Sequence, residues 1–389
     1  MNRFQVGVRA REQKQREKVG KSTCLSVDIR RNLTENIVFL IHKAFVDRTY
    51  SSYPCYDTGL ESIALRSELF HVVVPYDARS TRDETADSAP KSKKLKRSAK
   101  EFDEVTLKVK DKHTEFLNLH KNVEKASDFS NKIALEFVDE FNRSVHYDVD
   151  KVFNGANDSQ FIVKTSMNNE DYIIPPNCRF FNSDVRNLSD FLTTEDKFDF
   201  IVLDPPWWNK YIRRTKAANE KSGYRMMDND SLKSIALENH VHHRTVVAIW
   251  CTNAPSHVDA IEKQLCPKWN LRLVGTWYWT KITKQGEPVC TFNEKTKKQP
   301  YERLFIAVSS NSAVKDIATE KYIFSVPCAI HSNKPPLLEL FTDYLPERPK
   351  CLELFARNVY PNFTSIGTEV LKLQNTRLFQ LLSSKHEVQ

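Results

Sequence analysis

From about Asn154 onward, short apolar runs alternate with polar or helix-like stretches, and this alternation restricts the possible folds. The strand candidates are QFIVKT, DYIIP, CRFFN, FDFIVL, TVVAIW, LRLVGTWYWT, ERLFIAV and KCLELFA. Helix-like stretches (Ser231 to Leu237, Ser256 to Leu265 and Pro336 to Tyr344) lie between several of them. Strands interleaved with helices predict an α/β domain built on a largely parallel sheet. The late pair LRLVGTWYWT and YERLFIAV is expected to form an antiparallel edge around a long loop.

Open α/β sheets bind ligands at the carboxyl ends of their strands, near a reversal of strand order. CRFFN is followed by Ser183-Asp184-Val185, and FDFIVL by Asp204-Pro205-Pro206-Trp207. TVVAIW is followed by Cys251, Thr252 and Asn253, and KCLELFA by Arg357 and Asn358. Each is ordinary turn chemistry alone; four converging on one rim predict a site. The chain has only eight glycines and no GxGxxG or GxxxxGK[ST], so a standard dinucleotide turn or P-loop is not expected. Side chains must hold any nucleotide-like cofactor.

The Asp-Pro-Pro-Trp tetrad suits one task. Exocyclic amines of nucleobases are poor nucleophiles because their lone pair is delocalised into the ring. A carboxylate and a carbonyl can grip the two N–H groups and favour the pyramidal nitrogen of the transition state. Asp204 and the Pro205 carbonyl supply that pair, and Pro205 and Pro206 fix the backbone. Trp207 can stack on an extracted base and suits a cationic methyl donor nearby. The competing reading is a strand cap with a core tryptophan.

The 389 residues, 40% of them hydrophobic, suffice for one large domain or two smaller ones. No apolar run is long enough to span a membrane, and MNRFQVGVRAREQKQREKVGK lacks the apolar core of a secretory signal. The eight cysteines include no CxxC pair, so neither a metal site nor a disulfide framework is expected, and a reducing compartment fits. Cys251, Cys328 and Cys351 read as small core residues. A formal charge of +8 favours a polyanionic partner. A basic arm opens the chain, and a polar linker carries KSKKLKR, Lys91 to Arg97. Such a run reads as a nuclear import signal, which predicts a nuclear protein with the cytoplasm as alternative. Residues 101–144 predict two helices, the first highly charged and the second better packed. The division is therefore 1–150, a partly helical N-terminal region, and 151–389, the α/β domain.

DPPW, followed by SVPCAIHSNKPP and then CLELFARN with PNFTSIGTE, resembles the adenine-N6 methyltransferase family that includes the catalytic subunit of the messenger-RNA methylase. WYWTKIT, KKQPYERLFIAV and LELFARN are most similar to its methyltransferase-like-four subfamily. The resemblance covers roughly residues 160–373. It implies a Rossmann-like fold with permuted motif order that uses S-adenosylmethionine, LELFAR standing where other methylases have a glycine-rich turn. By the same resemblance, Asp184 and the Val185 backbone hold the cofactor adenine and Lys334 pairs with its methionine carboxylate. Arg357, Asn358, Thr368 and Glu369 lie at the ribose, and Asp204 to Trp207 receive the target adenine. The chain departs from relatives at Trp208, Asn333, Phe363 and Thr368; Trp208 is expected at the pocket mouth. Trp208, Lys210, Arg213, Arg214, Lys216, Asn253 and Lys281 are the expected substrate contacts, the basic ones at phosphates. The implied substrate is RNA, notably a 2′-O-methylated adenosine of U2 small nuclear RNA. DNA adenine and a non-catalytic RNA-binding scaffold are the alternatives, and a monomer is expected.

Overall fold

The computed structural model describes residues 30–55, 60–77, 102–120, 130–208, 226–293 and 298–383. Its first strands are β1 (Arg30–Asn32), β2 (Ile37–Leu40), β3 (Leu60–Leu65), β4 (Phe153–Asn157), β5 (Val163–Met167), β6 (Glu170–Ile174), β7 (Cys178–Asn182) and β8 (Phe200–Leu203). They are followed by β9 (Val246–Cys251), β10 (Leu271–Lys281), β11 (Tyr301–Ser309), β12 (Tyr322–Ser325), β13 (Cys351–Leu354), β14 (Phe363–Gly367) and β15 (Phe379–Ser383). The α-helices of four residues or more are α1 (His42–Ser51), α2 (Glu104–Leu119), α3 (Lys132–Ser144), α4 (Asn229–Lys233), α5 (Pro255–Ala260) and α6 (Leu338–Phe341).

Eleven strands form one sheet in the order β1-β2-β12-β10-β11-β9-β8-β13-β14-β7-β4. Its centre, β7-β14-β13-β8-β9, is parallel throughout, so the fold is α/β and Rossmann-like. Of these, β8 and β9 are apolar at every position because both faces are covered. Ile201, Leu203, Val247, Ile249, Leu352 and Leu354 pack on one face. Phe200, Val202, Ala248, Trp250 and Cys351 pack on the other. Alternation along each strand assigns the faces.

Three expectations need correction. β10 and β11 are antiparallel partners, but β11 also pairs with β9 and β10 with β12, so the pair lies inside the sheet rather than at its edge. The runs QFIVKT and DYIIP do not join the main sheet; they form the separate antiparallel hairpin β5–β6. Its turn residues Asn168 and Asn169 both have positive φ, the geometry that asparagine tolerates in tight hairpins. The order of packing of the two N-terminal helices is also reversed. The charged α2 buries Thr106, Val109, His113 and Phe116, with Phe116 stacked on Phe324 at 4.3 Å, whereas α3 buries only Ala134 and Phe141. One apolar stripe suffices for α2 because its charges occupy the opposite side.

The division at residue 150 does not separate two cores. β1 and β2 extend the main sheet beyond β12, and β3 pairs with β15 near the other end of the chain. The basic arm up to residue 29 and the run at 91–97 lie outside the described residues.

Topology locates the site. From β8 the chain proceeds to β9 on one side, and from β13 it proceeds to β14 on the other, while β8 and β13 are themselves neighbours. The crevice beyond their carboxyl ends is the switch point of the sheet.

Candidate active site

Asp204 leaves β8 directly into that crevice, and the tetrad behind it is tightly held. The Trp207 N–H donates to the Pro205 carbonyl at 2.8 Å, and the Met227 N–H to the Pro206 carbonyl at 2.9 Å. The first bond uses one lone pair of the Pro205 oxygen and fixes its direction; the second lone pair remains for a ligand. Trp207 Nε1 donates to the Trp250 carbonyl at 2.8 Å, and one face of its ring stacks on His257 at 4.9 Å. Trp207 is 6% exposed, so it acts first as a wedge that seats the tetrad. Trp208, expected at the pocket mouth, is 43% exposed and is not among the residues that line the cavity described below.

Asp204 faces a chain of alternating charges. Lys334 Nζ donates to Asp204 Oδ1 at 2.9 Å, to Oδ2 at 3.0 Å and to Ser332 Oγ at 2.7 Å. Glu302 Oε2 on β11 lies 3.3 Å from the same ammonium, and Lys281 on β10 pairs with Glu302. Burial pushes the Asp204 carboxyl up and Glu302 adds to this, while Lys334 opposes both. Burial would also raise Glu302, yet Lys281 and Lys334 together hold it down at about 2. The two flanking cations thus favour the anion at Glu302, whereas at Asp204 burial and Glu302 work against Lys334. Sequence reading missed Glu302 because it sits inside the apolar strand run ERLFIAV; only the pairing of β11 with β10 brings Lys281 to it.

A cavity of about 220 Å³ opens beside Asp204 on the face of the sheet that carries Val202 and Trp250. Lys334, Glu353, Phe355, Arg357 and Asn358 line it. Arg357 Nη1 donates to the His331 carbonyl at 2.7 Å, and its Nε lies 3.2 Å from Glu369, which also accepts from Lys372. Glu353 points into the cavity from β13; burial, and then the charge of Asp204, push its carboxyl up to about 8. Phe355 turns the chain at φ 63°, a left-handed conformation costly for a bulky residue. Gly367 permits this turn, since a Cβ there would lie 2.4 Å from the Ala356 oxygen.

The other expected site residues fall into three groups. Asp184, Val185, Thr368 and Glu369 stand at the ends of β7 and β14 on the same rim but outside this cavity. There Asp184 caps the turn that follows it and pairs with Arg186 at 2.6 Å, and Val185 is buried. Asn253 and Lys281, expected at the substrate, have partners within the protein. Asn253 Nδ2 donates to the Tyr301 carbonyl at 2.7 Å and its Oδ1 accepts from Arg303 Nε at 3.1 Å. Lys281 pairs with Glu302 and lies 4.8 Å from the Trp279 ring. Lys210, Arg213, Arg214 and Lys216 lie outside the described residues.

The MT-A70 family model matches residues 198–369, from the start of the tetrad strand to Glu369. The chain carries an MT-A70 domain. Over 238 residues it is 34% identical to the N(6)-adenine-specific methyltransferase METTL4 of Mus musculus, covering 59% of this chain and 49% of that protein. It is 34% identical over 213 residues to the DNA N6-methyl methyltransferase of Caenorhabditis elegans, 54% of this chain and 55% of that one. It is also 35% identical over 209 residues to the N6-methyladenosine RNA methyltransferase MTA1 of Cryphonectria parasitica, 52% and 60%. The chain thus spans about half the length of these curated relatives. Within the MT-A70 domain lie the tetrad, Glu302, Lys334, Glu353 and Arg357.

S-adenosylmethionine fits the residues present. The Asp204 carboxylate, with the Trp250 ring beside it, suits a sulfonium. Asn358 suits a ribose hydroxyl, and Lys334 and Arg357 suit a carboxylate. Among the described residues no group of three or more His, Cys, Asp or Glu is placed to hold a metal ion. No helix among them is long and apolar enough to cross a membrane.

Proposed function

We propose that the protein is an S-adenosylmethionine-dependent N6-adenine methyltransferase acting on nucleic acid. The observation that carries this reading is Asp204 at the switch point, lining a cavity suited to a cationic cofactor, with the neighbouring Pro205 carbonyl fixed by the Trp207 N–H. The cofactor supplies an electrophilic methyl group on sulfur. The chain supplies the rest. Asp204 and the free lone pair of the Pro205 carbonyl accept the two amine N–H groups and draw the nitrogen lone pair out of conjugation. Lys334 keeps Asp204 ionised, and Glu302 and Lys281 hold Lys334 in place. Asp204 Oδ then receives the proton that the methylated amine gives up, a task suited to a carboxylate with a raised pKa.

RNA is the favoured substrate, specifically a 2′-O-methylated adenosine of U2 small nuclear RNA, on the strength of the subfamily resemblance. The printed names of the relatives include both RNA and DNA methyltransferases, so DNA adenine is the second reading. A nuclear location and a monomeric state belong to the same proposal. Purified protein, labelled cofactor and matched RNA and DNA oligonucleotides, with and without 2′-O-methyl on the adenosine, provide the test. Mass spectrometry should find N6-methylated 2′-O-methyladenosine; label only in deoxyadenosine would reverse the substrate choice, and no label in any adenosine would overturn the activity.

A further inference from the structure

Trp207 seats the tetrad, and a histidine from a neighbouring strand's turn seats Trp207. β9 ends at Cys251, residues 252–254 turn the chain, and α5 opens with Pro255 in its first turn. Side chains on a helix lean toward its N-terminus, so His257 reaches back toward the end of β9. There its ring stacks on the Trp207 indole, with centroids 4.9 Å apart and planes 24° apart.

The imidazole is buried, and its nitrogens are used as well as its face. Nδ1 lies 2.8 Å from Thr252 Oγ. The ring is also hydrogen-bonded to the Trp208 backbone, and because that bond favours the protonated imidazole, the Trp208 carbonyl is the acceptor. With Nδ1 taken by Thr252, the donor is Nε2–H. Burial, the larger influence, pulls the imidazole below its ordinary pKa and so favours the neutral ring. A neutral ring with its proton on Nε2 makes Nδ1 an acceptor, so the Thr252 hydroxyl donates to it. Thr252 Oγ in turn accepts from the Ala254 N–H at 3.4 Å. An aromatic residue present only to fill space would need none of these bonds.

The grip bears on one half of the acceptor pair. Lys334 holds Asp204 directly. The Pro205 carbonyl is held by the Trp207 N–H at 2.8 Å, so a rotation of residues 207 and 208 would turn the oxygen offered to the target amine. The Trp250 carbonyl fixes the edge of the indole, and His257 fixes its face together with the residue beyond it.

We propose that His257 is a positioning residue for methyl transfer, clamping Trp207 with its ring face and Trp208 with Nε2–H so that the Pro205 carbonyl points at the target amine. The inference rests on the proposed N6-adenine methyltransferase activity. It assigns His257 to the turnover step and not to the binding of cofactor or nucleic acid, and it gives Thr252 the task of selecting the tautomer.

Wild type, His257→Phe, His257→Gln and Thr252→Val are compared with the oligonucleotide that the wild type methylates, and their affinity for S-adenosylhomocysteine is measured by calorimetry. His257→Phe keeps a ring on Trp207 but loses the bond to Trp208. It should lower kcat about tenfold to a hundredfold, the range expected of a misaligned reacting group, with the KM for nucleic acid and the S-adenosylhomocysteine affinity unchanged. His257→Gln can still donate to the Trp208 carbonyl and should recover part of the loss. Wild-type turnover in His257→Phe would reduce His257 to packing and overturn the assignment; so would a parallel loss of turnover and both affinities, the mark of a disturbed fold. A second readout needs neither activity nor a stable Phe variant. In ¹⁵N spectra of histidine-labelled wild type, with His257→Gln identifying the resonance, His257 should be the Nε2–H tautomer, and Thr252→Val should shift it. The Nδ1–H tautomer would overturn the clamp whatever the kinetics. Wild-type protein that methylates no adenosine in RNA or DNA would refute the functional reading, and the role in turnover with it, while the tautomer would still show whether the clamp itself exists.

Discussion

Glu353→Gln tests whether the cavity holds a neutral carboxylic acid. The Glu353 side chain shares the cavity wall with Asp204, and burial, then that neighbour's charge, push its pKa to about 8 from an ordinary value of 4.5. The sign follows from linkage. An acid whose folded pKa lies above its unfolded value takes up a proton on folding throughout the interval between them. Its favourable contribution is complete below about 4.5, declines as pH rises, and is gone above about 8. The slope is about 1.4 kcal/mol per pH unit. Between about pH 5.5 and pH 7.5 the wild type should therefore lose about 2–3 kcal/mol through this group, allowing for water in the cavity. Glutamine has the shape and neutrality of the protonated acid, so the variant should exceed the wild type by about 1 kcal/mol at the lower pH and by about 2–3 kcal/mol more at the higher one. Urea unfolding of both proteins at the two pH values measures this, and the difference between them cancels the histidine titrations they share. Parallel stabilities at both pH values would show that Glu353 is ionised in the folded protein and would refute the reasoning.

Three further outcomes follow from the site geometry. Asp204→Ala should lower methyl transfer at saturating substrates by about a hundredfold or more while the protein stays folded, because half of the acceptor pair is gone; near wild-type turnover would sink the mechanism. Lys334→Ala should cost about 2–4 kcal/mol of stability by leaving Asp204 and Glu302 without their shared cation. Because Lys334 opposes the upward push on Asp204, its loss should also move the acidic limb of the pH–rate profile to higher pH, and an unmoved limb would count against that role. Gly367→Ala should lower the melting temperature by the equivalent of about 1–3 kcal/mol, since its Cβ would meet Ala356 backbone atoms at 2.4 and 2.7 Å; an unchanged melting curve would show that the loop yields freely.

The centre of the sheet was legible because strands buried on both faces read as mainly apolar runs, unbroken in β8 and β9. CRFFN, FDFIVL, TVVAIW and KCLELFA became β7, β8, β9 and β13, and their polar successors do share one rim. β12 and β14 were not legible: YIFS and FTSIG are only four and five residues long, and their burial comes from distant partners. β1, β2 and α1 were hidden for the same reason, since nothing local says that residues 30–51 pack against residues 322–379. In the site, Asp204, Lys334 and Arg357 were readable from the tetrad and the resemblance. Glu302 and Glu353 were not, because a charged residue within a strand acquires its role only from what lies across the cavity.

The short link between β13 and β14 connects these observations. With only residues 355–362 available, the chain must turn back sharply, and Phe355 takes up a left-handed conformation to do so. Such strain persists only where surrounding contacts over-determine it. Gly367 presses against Ala356 from below, and the Leu373 N–H donates to the Arg357 carbonyl at 2.8 Å. α1 closes the remaining side through Phe45 and Tyr360. The turn that places Arg357 beside the cavity is therefore fixed by three elements, one of them more than three hundred residues earlier in the chain. A parallel pair joined without a crossover helix must take its cover from elsewhere. Here the cover is α1, whose Phe45 and Thr49 line the cavity with Arg357, which is why the N-terminal helix and the cavity are expected to respond together.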